Sequence, residues 1–225
     1  MKKVVLLYHP RTLHENAYRY FYIPYSLLSI STLINRSNTE IIIIDANLSE
    51  PTREEIGHIF SSRDVLCVGI SSMIGHQIAG GIEFSKMVKL FSPTTPIIWG
   101  GAAATLLPDL LLSSPFIDLV VSGQGQITFS EIINALIARS DYKSVKGIHY
   151  VDQGKIISTM PRPFVNWASL PGFKDVFDLV HVEDYIRNDE HINSKTINYH
   201  SSQGCSFSCG FCSEVALWDQ RWGGF

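Results

Sequence analysis

The sequence predicts an α/β protein whose main domain is a doubly wound parallel sheet of five strands, and three observations support this prediction. Short apolar runs alternate with helix-like segments over residues 1–140 of the 225-residue chain. These runs are continuously apolar rather than alternating, which is typical of strands that are covered on both faces. Helical segments separate them, as connections between neighbouring parallel strands require.

Each strand is predicted from a short run of apolar residues. The five predicted strands are Val4–Tyr8, Glu40–Asp45, Val65–Ile70, Pro96–Trp99 and Leu119–Val121. The helices are predicted from apolar residues at helical spacing or from start signals such as Pro-Thr followed by acidic residues. After a long loop, Pro10–Ile23, the predicted helices are Pro24–Leu33, Pro51–Phe60, Gln77–Phe91, Leu106–Leu112 and Thr128–Ala138.

The remainder of the chain has a different organisation. Residues 141–195 are predicted to form a connector that packs on the sheet domain and contains a β-hairpin around Asp152-Gln153-Gly154, with strands Gly147–Val151 and Lys155–Thr159. Residues 196–225 begin with a predicted strand, Thr196–His200, and end with the start of a helix, Ser213–Trp218. The sequence therefore predicts three units, 1–140, 141–195 and 196–225.

Charge and apolar run lengths exclude several classes of protein. The 18 basic and 21 acidic residues give a net charge of −3, so no polybasic nucleic-acid surface is expected. No apolar run reaches the ~18 residues of a membrane span, and the apolar start at Met1–Tyr8 is too short for a signal peptide. A cytoplasmic protein with no nucleic-acid or membrane partner is predicted. The chain also has no phosphate-binding P-loop and no G-x-G-x-x-G after its first strand.

The ends of three predicted strands are rich in glycine and serine. In doubly wound sheets, ligands bind beyond the carboxyl ends of the strands, and glycine lets a large ligand approach the backbone. The pattern therefore favours a broad, flat ligand over the alternative of tight turns alone, which also need glycine. The candidate contact residues are Ser71, Ser72, Gly75, Gly100, Gly101, Gly123, Gly125 and Gln126.

Three of the four cysteines lie within eight residues, Cys205, Cys209 and Cys212, in a C-x3-C-x2-C spacing. Three thiolates on one loop can hold three irons of a cubane cluster, whereas such clusters normally have four cysteine ligands. The fourth iron would then be open to a substrate. The remaining cysteine, Cys67, lies in a predicted strand and is interpreted as a small apolar residue.

The three cysteines, with Phe211 directly before the last of them, resemble the signature of radical S-adenosylmethionine (SAM) enzymes. The resemblance implies a [4Fe–4S] cluster held by Cys205, Cys209 and Cys212, whose open iron binds SAM and whose electron cleaves SAM to a 5′-deoxyadenosyl radical. It places Phe211 beside the SAM adenine. It also implies a β/α barrel fold for this part of the chain and an electron donor such as flavodoxin or ferredoxin.

The upstream segments resemble the cobalamin-binding domain of cobalamin-dependent radical SAM enzymes. These segments include Val68–Ser72, Pro96–Gly101, Thr105–Pro108 and Val121–Phe129. The resemblance implies a Rossmann-like domain that binds cobalamin at the glycine-rich strand ends, in an enzyme that catalyses methyl transfer or a rearrangement. The substrate, a small molecule or a peptide, is not identified by these residues.

The chain departs from that family at several places. It has Gln124 and Gln126 where acidic residues are common, and Ala102–Ala104 where histidine is common. The D-x-H-x-x-G motif of His-ligated cobalamin is absent, and His76 is better explained as a hydrogen-bonding residue at a helix start. The barrel should continue beyond residue 225, so the chain is predicted to be the amino-terminal part of a longer enzyme or a truncated product, inactive alone.

Two alternatives remain open from the residues. In the first, the sheet domain binds no cobalamin and instead docks a protein or substrate. In the second, the three cysteines form a non-enzymatic zinc site completed by His200 or a distant residue. The acidic, histidine-bearing stretch 181–191 is interpreted as a solvated face. A metal site there is the disfavoured alternative, because no helical H-x-x-x-H spacing is present; its ligands would be His181, Glu183, Asp184 and His191.

Overall fold

The computed structural model describes residues 2–12, 22–189, 194–218 and 221–224. Seven strands of this part form one sheet, and all seven match predicted strands within one residue at each end, the two strands of the predicted hairpin included. They are β1 (Lys3–His9), β2 (Thr39–Asp45), β3 (Asp64–Ser71), β4 (Ile97–Gly100), β5 (Leu119–Val121), β6 (Ile148–Asp152) and β7 (Lys155–Ser158).

The strand order is β2-β1-β3-β4-β5-β6-β7, and β1 to β5 are parallel. The predicted doubly wound parallel sheet is therefore confirmed. The predicted number of five strands is wrong, because the hairpin of the connector joins the same sheet. Val121 of β5 pairs with Ile148 of β6 in antiparallel register, which satisfies the backbone groups at the edge of β5.

Six helices connect or follow these strands. A proline divides the predicted helix 106–112, since Pro108 has no N–H for the preceding turn and Leu107 adopts φ −134° and ψ 47°. Of the predicted loop Pro10–Ile23, residues 13–21 lie outside the described part. The helices are α1 (Tyr25–Ser31), α2 (Arg53–Ser62), α3 (His76–Phe91), α4 (Ala102–Leu106), α5 (Pro108–Leu112) and α6 (Gly125–Ala138).

The core lies on both faces of the sheet. On one face, Leu6 and Trp99 pack with Phe84 of α3, while on the other Leu7 packs with Phe129 of α6. Cys67 is fully buried on this second face, and burial raises the pKa of its thiol. Its interpretation as an apolar strand residue agrees with this position.

The last part of the chain is built from short elements. Four 3-10 turns between Trp167 and Tyr185 precede β8 (Arg187–Asp189), β9 (Ser194–Thr196), β10 (Ser202–Gly204), α7 (Ser213–Trp218) and β11 (Trp222–Gly224). The connector packs on α1 through a third cluster that includes Tyr25, Leu28 and Phe173. Among the described residues, no helix has the length and apolarity needed to cross a membrane.

The predicted strand Thr196–His200 is wrong, while the helix Ser213–Trp218 is confirmed. Only Thr196 lies in a strand. Asn198 instead contacts the start of α1, where its carbonyl oxygen accepts from Tyr25 Oη at 2.9 Å and its Oδ1 accepts from the Ile23 N–H at 3.3 Å. These bonds hold the segment before the cysteine loop against the sheet domain.

Candidate functional site

A cavity of about 490 Å³ lies across the carboxyl ends of β1, β3, β4 and β5. The strand order reverses direction between β1 and β3, and a doubly wound sheet forms a ligand crevice at such a point. The cavity therefore lies at the point where the topology of the sheet leaves the strand ends uncovered by helices.

Seven of the eight predicted contact residues line this cavity. The exception is Gly75, which precedes α3 in a left-handed conformation with φ +107° and is not a lining residue. His76, the first residue of α3, does not line the cavity either. The seven that do are Ser71, Ser72, Gly100, Gly101, Gly123, Gly125 and Gln126.

Three glycines of the cavity differ in what they provide. A Cβ built on Gly100 or Gly123 would have no atom within 4 Å beyond its own and the adjacent residues, so these positions keep space open beside the backbone; Gly123 also has φ +75°. A Cβ on Gly101 would lie 2.7 Å from the Ser72 carbonyl oxygen, and the residue has φ +88°. Gly101 is thus needed for the turn itself, whereas Gly100 has no such requirement.

Aromatic residues of the connector and the last segment complete the cavity, and the sequence did not predict them. Trp167, Phe173, His200 and Trp218 all line it. The His200 ring stacks on Tyr25 with centroids 4.8 Å apart, and Trp167 contacts Trp218 edge-on at 5.4 Å. Burial lowers the pKa of His200, which favours its neutral form. These rings cover one side of the cavity with apolar surface.

Two buried glutamines follow β5 and make different contacts. Gln124 is fully engaged by the connector, because its Nε2 donates to the Val165 carbonyl at 3.0 Å and its Oε1 accepts from the Val165 N–H at 2.8 Å. Gln126 Nε2 donates to Ser29 Oγ at 2.7 Å. Its Oε1 is buried and has no hydrogen-bond partner among the described residues. Such an acceptor costs about 1–3 kcal/mol unless a ligand satisfies it.

His9, which the sequence did not single out, lines the cavity at the end of β1 and is held by a polar network. Its Nδ1 lies 3.1 Å from Asp45 Oδ1, and its Nε2 lies 3.3 Å from Gln77 Nε2. Burial alone would raise the pKa of Asp45, but hydrogen bonds from His9 and Asn47 bring it below its usual value. Both ring nitrogens of His9 thus already have protein partners.

The lining is almost free of charged side chains. Glu214 is the only Asp, Glu, Lys or Arg among the described residues that line the cavity. The other polar groups are serine, threonine and tyrosine hydroxyls, glutamine amides, tryptophan indoles, two imidazoles and backbone groups. An uncharged ligand with hydrogen-bonding groups suits this lining better than a polyphosphate does.

The three clustered cysteines lie on the loop between β10 and α7, next to the cavity. Cys209 is exposed, Cys205 and Cys212 are half-buried, and none forms a disulfide. Among the described residues, no three His, Cys, Asp or Glu side chains are grouped closely enough to hold a metal ion. Phe211 is 93% exposed and does not line the cavity. The cluster ligands and the SAM contact therefore stay predictions.

The interpretation of stretch 181–191 as a solvated face holds for the exposed Glu183 and Asp184 but is wrong for Tyr185, which is 2% exposed. His181 is exposed and contacts Asp184 Oδ1 at 3.3 Å and Glu183 Oε2 at 3.7 Å. His191 lies outside the described residues.

The sequence of the sheet domain matches a known family. The B12 binding domain family matches residues 16–133, which is more than half of the chain. The chain belongs to the B12 binding domain family. The matched range contains the ends of β3, β4 and β5, so it includes the seven glycine-, serine- and glutamine-bearing positions of the cavity. This match confirms the family that was predicted for the sheet domain.

The curated relatives of this chain include proteins named as two kinds of enzyme. An uncharacterized methyltransferase of Pyrococcus horikoshii is 28% identical over 203 residues, covering 89% of the chain. An anaerobic magnesium-protoporphyrin IX monomethyl ester cyclase of Synechocystis sp. is 27% identical over 203 residues, covering 88% of the chain. The chain spans 42% and 39% of the lengths of these two proteins.

Solved structures share the fold. The radical SAM methyltransferase TsrM from Kitasatospora setae, with cobalamin and a [4Fe–4S] cluster bound, has a TM-score of 0.72 at 18% identity, covering 100% of the chain and 43% of TsrM. The cobalamin-dependent radical enzyme OxsB, with aqua-cobalamin and SAM bound, has a TM-score of 0.66 at 17% identity, covering 94% of the chain and 28% of OxsB.

Proposed function

We propose that the cavity binds cobalamin, with the face of its corrin ring against the glycine-rich ends of β3, β4 and β5. One observation carries this proposal: Gly100 and Gly123 line the cavity, and a Cβ built on either of them would meet no atom within 4 Å beyond its own and the adjacent residues. A flat macrocycle needs a backbone without side chains over such a width. The family match over residues 16–133 supports the same ligand.

The polar lining supports cobalamin over nucleotides. Cobalamin has uncharged carboxamide groups around its ring and one phosphodiester, whereas a dinucleotide or a nucleoside triphosphate concentrates negative charge. The described lining has no Lys or Arg to neutralise such charge. Hydroxyls, amides and backbone groups can instead pair with carboxamides.

We further propose that Cys205, Cys209 and Cys212 are the ligands of a [4Fe–4S] cluster in a radical SAM enzyme. The three thiols are free and share one loop in a C-x3-C-x2-C spacing, and Gly204, directly before Cys205, lines the cavity. When bound, the cluster would supply the electron that cleaves SAM. Phe211 would contact the SAM adenine, and flavodoxin or ferredoxin would supply electrons in the cytoplasm, where thiols stay reduced.

The reaction that we propose for the whole enzyme is methyl transfer, with a rearrangement as the alternative, on a small molecule or a peptide. The names of the two curated relatives, a methyltransferase and a cyclase, support this range. Within it, the residues of this chain have a binding task. The strand ends orient one face of the corrin, and the aromatic residues Trp167, Phe173 and Trp218 exclude water from the cavity.

A hydroxocobalamin titration tests the proposal. The purified chain is titrated anaerobically, passed over gel filtration, and the visible spectrum of the protein peak is recorded. We expect one cobalamin per chain and a shifted spectrum. Absence of binding to the folded chain would overturn the proposal and favour a docking role for the sheet domain.

Two glycine variants sharpen the titration. Gly100→Leu adds a side chain at the floor of the cavity without a left-handed strain, and we expect affinity to fall by at least about tenfold with an unchanged melting temperature. Gly172→Leu is the matched control, because Gly172 is exposed, has open space around its Cβ position and does not line the cavity. Equal binding by both variants would contradict the placement of cobalamin.

A further inference from the structure

A tight turn brings two of the three clustered cysteines together. The Cys212 N–H donates to the Cys209 carbonyl oxygen at 3.1 Å, and Gly210 and Phe211 are the two residues inside the turn. A turn closed in this way holds the Cα atoms of its end residues within about 7 Å of each other. Because disulfides join residues whose Cα atoms are ~4.4–6.8 Å apart, this turn suits a disulfide between its two ends.

The third clustered cysteine, Cys205, is held by a different element. It directly follows β10, and its N–H donates to the Arg221 carbonyl oxygen at 3.1 Å. The preceding residue, Gly204, pairs with Trp222 of β11. The three thiols are therefore not equivalent, since the backbone of Cys205 belongs to a strand pair while the other two cysteines share one turn.

The exposure of the cysteines indicates the order in which they meet an oxidant. Cys209 is exposed and Cys212 is half-buried. The turn between them is open to solvent, because Phe211 is 93% exposed and a Cβ on Gly210 would meet no atom within 4 Å beyond its own and the adjacent residues. Cys67 is fully buried, and burial raises the pKa of its thiol, so it stays inert.

We propose that Cys209 and Cys212 are a reversible thiol-oxidation site of the cluster-free chain, with a small disulfide such as oxidised glutathione as the oxidant. The Cys209 thiolate attacks one sulfur of the oxidant, forms a mixed disulfide and releases one glutathione thiolate. The Cys212 thiolate then attacks Cys209 Sγ, forms the Cys209–Cys212 bond and releases the second glutathione thiolate. The chain loses two electrons and two thiol protons, and oxidised glutathione gains both as it becomes two thiols.

The disulfide prevents the loop from accepting a cluster. Only Cys205 keeps its thiol among the three clustered cysteines, whereas an iron–sulfur cubane needs several thiolate ligands. Reduction by a thiol restores the other two, so the site couples cluster loading to the thiol–disulfide balance of its surroundings. This consequence rests on the proposed function, because it concerns the cluster, while the disulfide itself requires only the two thiols.

Oxidation of the cluster-free chain tests the site. The 225-residue chain is freed of iron with a chelator, reduced, separated from the reductant and incubated anaerobically with oxidised glutathione. Free thiols are then alkylated under denaturing conditions, and trypsin cleaves after Lys195 and Arg221. All three clustered cysteines lie on the resulting peptide. We expect its fragmentation by mass spectrometry to locate an internal link between Cys209 and Cys212.

Two single variants distinguish this pair from the other possible pairs. In Cys212→Ser the second attack has no thiol, so we expect the mixed disulfide with glutathione to accumulate at Cys209. Cys205→Ser is the matched control, because it also removes one clustered thiol but leaves the turn intact. We expect its internal link to form within about twofold of the original rate.

The result that supports the proposal is a Cys209–Cys212 link that survives Cys205→Ser. A predominant link to Cys205, or an equal loss of the link in both variants, overturns it. Iron and sulfide reconstitution is measured separately, and we expect the oxidised chain to bind iron only after treatment with dithiothreitol. Iron uptake by the oxidised chain overturns the effect on cluster loading. Absence of iron uptake by the reduced chain instead overturns the proposed cluster, and the disulfide result stands without it.

Discussion

The parallel sheet and the cysteine-bearing segment 202–218 are built in opposite ways. In β1, the five residues Val4–Tyr8 are all 0% exposed, and side chains on both faces contact helices or neighbouring strands. In the cysteine segment, β10 has three residues and α7 has no buried residue. Phe207 and Phe211 are exposed aromatic side chains.

This difference shows where each region obtains its free energy of folding. The sheet buries large apolar side chains, which stabilise it without any ligand. The cysteine segment has side chains suited to ligation and buries little apolar surface. Binding of a metal cluster can provide folding free energy to such a loop. We therefore expect the two regions to respond differently to the same kinds of change.

The largest effect is expected from Cys209→Ala. If the three cysteines hold an iron–sulfur cluster, this change should abolish the visible cluster absorbance and the bound iron after anaerobic reconstitution, since two thiols remain. Cobalamin binding should be unchanged because Cys209 does not line the cavity. Ser208→Ala is the control and should keep the iron. Zinc without iron in the original chain would contradict the cluster assignment, and joint loss of both cofactors would contradict the separation of the two regions.

A paired comparison of apolar side chains should give the next largest effect. Leu6 lies in β1, the strand between β2 and β3, and its side chain is fully buried. We expect Leu6→Ala to lower the free energy of unfolding by about 2–5 kcal/mol. Phe211→Ala removes a larger side chain that is 93% exposed, and we expect a change within about 0.5 kcal/mol. Urea denaturation measures both. A large loss for Phe211→Ala would mean that the cysteine loop packs in solution.

A smaller effect is expected for Asp45, whose carboxylate joins the sheet to the connector. Tyr185 Oη donates to Asp45 Oδ2 at 3.1 Å, and the pKa of Asp45 is lower in the folded state than usual. The carboxylate therefore stabilises the fold above about pH 4, and this contribution is lost as the pH falls through the folded-state value. We expect Asp45→Asn to cost about 1–3 kcal/mol at pH 7 and to weaken the loss of stability in acid.

Asp178 provides the exposed counterpart to Asp45. Its pKa is also lowered, by its hydrogen bond with the guanidinium of Arg36, but its side chain is mostly exposed to solvent. We expect Asp178→Asn to change stability by less than about 1 kcal/mol at pH 7. Urea unfolding between pH 3 and pH 7 compares the two variants. Equal losses of stability in the two variants would show that the burial of Asp45 adds nothing to the stabilisation by its carboxylate.

The sequence predicted those parts of the molecule whose structure depends on local pattern. The apolar runs gave the parallel strands, and seven of eight predicted contact residues line the cavity because strand ends meet at one edge of a parallel sheet. Contacts between distant segments were missed. The hairpin pattern did not reveal that β6 would pair with β5, and nothing near Trp167 or His200 indicated that these rings would meet the strand ends.

The strand predicted at Thr196–His200 failed for a related reason. Its residues have a strand-like pattern, but Asn198 bonds to Ile23 and Tyr25 instead of to a neighbouring strand. The bond between the Gln126 amide and Ser29 Oγ was equally hidden, because the two residues lie 97 positions apart in the chain. Gln126 itself was predicted as a contact residue.

The attachment of the hairpin to β5 also affects how the protein resists aggregation. Without β6, the three buried residues of β5 would form the edge of the sheet, and an apolar edge strand invites pairing with another copy of the chain. With the hairpin in place, this edge is β7, a four-residue strand that begins with Lys155, continues with Ile156 and Ile157 and is exposed along its whole length. A short strand with a lysine is a poor template for further pairing. The connector thus replaces an edge of buried apolar residues by a short strand with a lysine, and we expect this to weaken edge-to-edge assembly.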